Sequence, residues 1–277
     1  MALFLLVFAA LCCSAADLPG APSYRATRYA EALSALRDAP ATSAVLLLRG
    51  KCHYGLGDFK RAQETFEAAI RADANSSEAW HWLGKAFGKR AESASVFSAP
   101  GLARRCRQAF EKAVELDGRN VLAINDLIEY SLEAPGFLGG GDDKAAALAA
   151  RLAALDPPEH EFARARIAEK KKDWAAAESH YRKASELAPK QAGRAADLAK
   201  FLARRGRVAE SDAEFARAAS IDPASPGVWF ARAESLSEGK RNLAEARRLL
   251  ERYLKAPLTP EDPPRADAEK LLKKAGR

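Results

Sequence analysis

One pattern of apolar and polar positions recurs along the chain between residues 58 and 223. Four segments carry it: "DFKRAQETFEAAIRADA" from Asp58, "LARRCRQAFEKAVELDG" from Leu102, "DWAAAESHYRKASELAP" from Asp173 and "RVAESDAEFARAASIDP" from Arg207. In each, the fifth residue is small (Ala62, Cys106, Ala177, Ser211), the ninth is aromatic (Phe66, Phe110, Tyr181, Phe215) and the twelfth is alanine (Ala69, Ala113, Ala184, Ala218). Steps of four and then three place these residues on one helical face, where the small side chains admit a neighbouring helix and the ring fills the gap. Charged and other polar residues together fill most of the remaining positions, so each helix expects an apolar neighbour on one side and water on the other.

A second helix precedes each segment, with its own small residue among apolar neighbours: Gly50, Gly84, Ala165, Ala199 and Ala233. From Ala165 to Ala199 to Ala233 the step is 34 residues each time, and Pro157, Pro189 and Pro223 close successive units. Helix pairs at this period resemble the tetratricopeptide repeat over nearly all of the chain beyond its first residues. The resemblance implies an all-α fold, a right-handed superhelical solenoid of about six helix hairpins with a capping helix at each end. The pairs begin near Ser43, Ser77, Asn120, Glu159, Gln191 and Pro226, giving repeats near 43–76, 77–119, 120–158, 159–190, 191–225 and 226–258. Residues 17–42 hold the first cap, an amphipathic helix around Tyr24 to Arg37; residues 259–277, with "RADAEKLLKKAG", form the last.

Two hairpins are interrupted. "KRAESASVFSAPG" adds about ten residues to the second, ending in a Pro100-Gly101 turn signal. "EAPGFLGGGDDKA" lengthens the third by about five. Its three glycines suggest a phosphate loop, but Asp142 and Asp143 follow Gly141 directly where such a loop needs a lysine, and a helix precedes it instead of a strand. The aspartates read as helix-start residues at the positive end of the dipole. Phe137 and Leu138 then either fold back on neighbouring helices as a plug or join Phe97 in a partner-binding rim.

In proteins of this family the first helices of successive pairs line a concave groove. Carrying those positions over places Lys51, Tyr54, His81, Lys85, Lys89, Asn125, Arg166, Lys170, Lys200 and Arg204 in it, with Leu47, Leu122, Phe162 and Phe230 as apolar neighbours and Glu129 and Glu234 as acidic ones. Lys51, Lys85, Arg166 and Lys200 occupy equivalent places and make a basic stripe. A formal charge of +7 and an isoelectric point near 9.2 fit an acidic ligand, such as a protein or peptide with carboxylates, an anionic envelope polymer or a lipid surface. No stacking module or recognition motif accompanies the charge, so nucleic acid is not expected. Leu47 and Trp82 stand where the family's chaperone-clamping members have polar groups, which argues against that activity. Trp80 and Trp174 read as core, and Trp82 as partly exposed.

Residues 1–16, "MALFLLVFAALCCSAA", have the apolar run and small-residue end of a secretory signal, too short for a span and without an opening Lys or Arg. Export to the periplasm or beyond, with cleavage near Ala16 and no transmembrane span in the mature chain, is the expectation; an uncleaved anchor is the alternative. Cys52 and Cys106 remain after cleavage, either bridged or, as their helical positions favour, small buried hydrophobes. No paired carboxylates, nucleophile with base or metal-ligand spacing stands out, so neither catalysis nor a metal or other cofactor is expected. The leading reading is a scaffold that binds a protein or peptide in the groove. Its alternative is a structural component of an envelope complex, assembled through the loop insertions and convex face.

Overall fold

A computed structural model describes residues 18–275; residues 1–17, with the leader and its two cysteines, and the last two residues lie outside it. All regular structure among the described residues is helical. Two short helices, α1 (Ala21–Arg25) and α2 (Tyr29–Ala35), precede six hairpins: α3 (Ser43–Gly55) with α4 (Phe59–Ala72), α5 (Ser77–Glu92) with α6 (Ala99–Leu116), and α7 (Val121–Glu133) with α8 (Asp142–Leu152). There follow α9 (Pro157–Lys170) with α10 (Trp174–Leu187), α11 (Ala192–Arg204) with α12 (Val208–Ile221), and α13 (Pro226–Glu238) with α14 (Leu243–Lys255). The last helix, α15 (Arg265–Ala275), packs on α13 and α14.

Helix starts are set locally. Thr42, Asp58, Ser76, Asn120, Asp156, Asp173 and Ser225 each accept a hydrogen bond from the backbone N–H three residues on. Each such cap satisfies a donor the helix cannot, contributing about 1 kcal/mol. Pro157 therefore opens α9, occupying a position that needs no N–H, and does not close the hairpin before it.

The repeated small-ring-alanine positions are the spine of the array. All twelve residues named for the four segments are buried, Phe66 and Ala62 completely. Gly50 and Gly84 show how tightly the paired helix approaches: a Cβ on either would lie 2.4 Å from the ring of Phe66 or Phe110. The third and sixth hairpins keep the register and move the bulk, with Ala145, Ala149 and Leu152 in one and Ala246, Leu250 and Tyr253 in the other, all buried. Cys52 and Cys106 are buried and unbridged, and burial pushes both thiols up to about 12.

Three local expectations are corrected. The first cap is two helices and not one, because Thr27 takes a left-handed conformation (φ 55°) that folds Ala21 and Leu36 together onto Val45 and Leu48. The insertion in the second hairpin is mostly helix: Pro100 and Gly101 lie in the first turn of α6, leaving only 93–98 between helices. The helices of this hairpin have 16 and 18 residues against 13 and 14 in the hairpin before it, so it projects by about one turn.

In the third hairpin, the expected pair of apolar loop residues divides. A 3-10 turn at Gly136–Leu138 buries Leu138 and leaves Phe137 79% exposed. The amides of Leu138, Gly139, Gly140 and Gly141 donate to the carbonyls of Pro135, Gly136, Pro135 and Ser131, and the Lys144 Nζ donates to the Gly139 carbonyl. None of these amides remains for an anion, as the loop's sequence implied. No described helix is long and apolar enough to cross a membrane.

Candidate functional site

The first helices of the hairpins, α3, α5, α7, α9, α11 and α13, form one layer, and the ion pairs between them run a whole repeat in sequence. Lys51 pairs with Glu78 on the next first helix. Arg166 reaches Glu129 at 2.6 Å, Lys170 reaches Glu133 at 3.5 Å, and Arg204 reaches Glu169 at 2.8 Å. Lys200 reaches Glu234 at 2.6 Å, and Arg194 joins Glu159 to Asp197. His81, buried although expected in the groove, places Nε2 2.7 Å from the Asp126 carboxylate.

This corrects the picture of a basic stripe. The cations stand at the expected places, but the acids that neutralise them lie one helix away. Lys85 differs: among the described residues no carboxylate lies within 4.0 Å of it, and its ammonium sits 4.5 Å from the Trp82 ring centroid and 5.8 Å from that of Tyr54. Tyr54 packs edge-on against Phe59 and Trp82 at 5.2 and 5.3 Å, so the ammonium rests on a preformed aromatic corner.

Two clefts of about 360 Å³ open in this layer. The first, between α5, α7 and α9, brings together His81, Lys85, Asn125 and Arg166 with the exposed Leu122 and half-buried Phe162. The second, between α7, α9 and α11, brings together Arg166, Lys170, Lys200 and Arg204. It opens there because the backbones of α9 and α11 stay more than 8 Å apart, whereas α11 and α13 approach within that distance. Long side chains cross the gap. Tyr181 closes its floor, donating its hydroxyl to Glu169 at 2.7 Å. Burial raises the carboxyls of Asp197 and Glu159 above the ordinary range, against the pull of Arg194.

Lys51 and Tyr54 stand one helix before the first cleft, and Lys89 pairs with Glu92 at 3.0 Å at the end of α5. Leu47 and Phe230 are buried and line neither cleft. Phe97 and Phe137 are exposed at the edge of the array; Leu138 does not join them. Trp174, expected in the core, is 36% exposed, with the Arg205 guanidinium 4.0 Å from its ring centroid. Glu159, Glu169, Arg194 and Asp197 were not singled out from sequence. Their signal was an opposite charge 35 residues along, as in Glu159 with Arg194 and Glu169 with Arg204.

A family model for the tetratricopeptide repeat matches residues 24–85. No curated protein matches the sequence. Among solved structures, the chain is similar in fold to a tetratricopeptide repeat protein from Parabacteroides merdae (10% identity, TM-score 0.60), with 94% of this chain and 93% of that one covered. A thermophilic TPR protein of Thermus thermophilus matches at 21% identity and TM-score 0.57, covering 68% of this chain and 99% of its own. PilW, a type IV pilus biogenesis factor, matches at 19% identity and TM-score 0.54, with 74% and 91% covered. The family match covers the start of the array, and beyond it the six hairpins stacked on one register share the fold of these tetratricopeptide-repeat structures.

Proposed function

We propose that this protein is an exported, non-catalytic scaffold that holds a segment of a partner protein or peptide along the layer of first helices. The repeat fold suggests a protein-protein interaction scaffold, and the groove chemistry narrows the partner. Lys85 carries the reading: a groove cation without a carboxylate, held on Tyr54 and Trp82 beside a cleft whose wall includes the exposed Leu122. A partner segment with an apolar side chain for Leu122 and Phe162 and a carboxylate for Lys85 satisfies both. Acidic character is needed at that one point and not along the whole segment, because the other groove cations already have partners. Export rests on the apolar leader at 1–16.

Peptides selected from a random display library on the purified protein test this. The expected recovery is an apolar residue beside Asp or Glu, with Lys85→Glu weakening binding about tenfold while helicity is unchanged. Peptides indifferent to both Lys85→Glu and Arg166→Glu, but lost on changing Phe97 and Phe137, would instead support the envelope-assembly reading. N-terminal sequencing of the protein from its own cells is expected to begin at Asp17.

A further inference from the structure

Most of the exposed large apolar side chains share one edge, Leu122 and Leu187 lying at the other. Leu56, Val96, Phe97, Phe137, Trp174 and Val208 all lie where a first helix turns into its second helix, along one edge of the array. Val96 and Phe97 are 81% and 93% exposed at the tip of the projecting second hairpin, between Ser95 and Ser98. Phe137 is set back from them, since its turn rests against α6 near Arg107, eight residues or about 12 Å below Ala99. Side chains this exposed add nothing to the packing of the fold.

Charge follows the same edge. Arg104, Lys171, Lys172, Arg205 and Lys240 stand at or near these turns, and among the described residues none has a carboxylate within 4.0 Å. The groove cations other than Lys85 are neutralised within the molecule; these are not. On the opposite edge, where second helices lead to the next hairpin, Asp73, Asp117, Asp156 and Asp222 accept from backbone amides of their own turns. Acids stand on the first edge too, at Asp58, Asp142, Asp143 and Asp173, and cations on the second, at Arg71, Arg119 and Lys190; the first edge is distinguished by gathering most of the exposed apolar tips beside cations such as Lys171 and Lys172.

We infer that the first edge docks on an anionic lipid surface, with Val96 and Phe97 entering the interface first and the unpaired cations lying among the headgroups. The shape favours lipid over a protein partner. Trp174 borders the second cleft, but Val96, Phe97 and Phe137 line neither cleft and stand apart along the edge, whereas a protein would need a separate pocket for each. A bilayer interface accepts isolated apolar tips to a depth of about 5–10 Å and adds roughly the same attraction for each nearby cation wherever it stands. This inference is independent of the groove reading, which concerns the other cleft-bearing surface.

The test uses the full chain with vesicles of phosphatidylcholine alone and of phosphatidylcholine with about one-third phosphatidylglycerol. Flotation and hydrogen exchange are both read, because the leader contributes equally to flotation of every variant but not to exchange at 93–98. The expected result is slower exchange of the 93–98 amides on the anionic vesicles only. Flotation is expected to fall at least tenfold in Val96→Ser with Phe97→Ser, and about tenfold in Lys171→Glu with Lys172→Glu. Phe137→Ser alone should cost less than Phe97→Ser. These positions are exposed, so circular dichroism should match the parent. The inference is overturned if anionic vesicles leave exchange at 93–98 unchanged, if the serine variant floats like the parent, or if the segment is protected by a soluble protein and not by vesicles.

Discussion

The first three hairpins and the last three solve the same stacking problem differently. From α3 to α8 and the near side of α9, the buried residues form one continuous cluster, running from Leu47 through Phe66, Phe87, Phe110 and Ile124 to Ala163 and Ile167. Beyond α9 the core is divided into blocks: Ala165 with Tyr181 and Phe201, Ala199 with Phe215, and Ala233 with Leu250 and Tyr253. In the front half, glycines admit the rings, and the groove is aromatic around Lys85. In the back half, alanines replace the glycines, and Glu159–Arg194, Glu169–Arg204 and Lys200–Glu234 tie the blocks together across the groove. Nearest-neighbour stacking tolerates either solution, because each repeat has only to satisfy the one beside it.

The largest contrast should come from removing one ring in each half. Phe110→Ala is expected to cost about 3–5 kcal/mol and to lower hydrogen-exchange protection throughout α3 to α8. Phe215→Ala removes as large a side chain, but its loss of protection should stay within α11 to α13. Equal spread from both sites would erase the distinction between one core and several.

The glycine joints come next. Gly84→Ala gains about 1 kcal/mol of helix propensity but places a Cβ 2.4 Å from the Phe110 ring, which is buried and cannot swing aside. Overpacking of this kind costs about 1–3 kcal/mol, so a net loss of up to about 2 kcal/mol is expected in urea unfolding. Ala199→Gly creates no clash but should lose about 1 kcal/mol from propensity and about 1 kcal/mol from the buried methyl beside Phe215.

A smaller effect separates the halves by pH. Burial alone would raise the Glu161 carboxyl, but hydrogen bonds from Lys183 at 2.7 Å and His180 at 2.6 Å outweigh it and hold it below the ordinary glutamate range. A depressed carboxylate stabilises the fold above its unfolded value and loses that contribution as pH falls through its folded value. Glu161→Gln should therefore cost about 1 kcal/mol near pH 7 and nothing at acid pH below the glutamate range. A penalty that persisted in acid would mean that packing, and not charge, holds this contact. Raising salt to about 1 M should give the least change: exchange a few times faster across α9 to α13, through weakened exposed pairs, and less so in α3 to α6, where pairs such as Lys51–Glu78 and Arg105–Glu67 are fewer.

The repeat was readable because its information is local. Ala62, Phe66 and Ala69 announce a buried face by spacing alone, and all three are buried. The groove was half readable. Positions such as Lys200 follow from the repeat, but its neutralisation by Glu234 depends on the distance between two helices, which no periodicity within one helix carries. Trp174 misled because the first position of a second helix can face either the hairpin or its end; here Arg205 covers one side and water the other. Pro100 and Gly101 misled because a proline serves a turn and a first helical turn equally well.

Gly140 has a consequence for how such a protein can change over generations. A Cβ there would lie 1.8 Å from the Ala134 carbonyl oxygen, closer than any side-chain motion could relieve, since the obstacle is backbone. Even alanine would force the 3-10 turn open, free the Leu138 carbonyl from the Tyr130 hydroxyl and redirect Phe137. The edge at this hairpin is therefore not open to gradual revision at that residue: it is inherited whole or replaced whole.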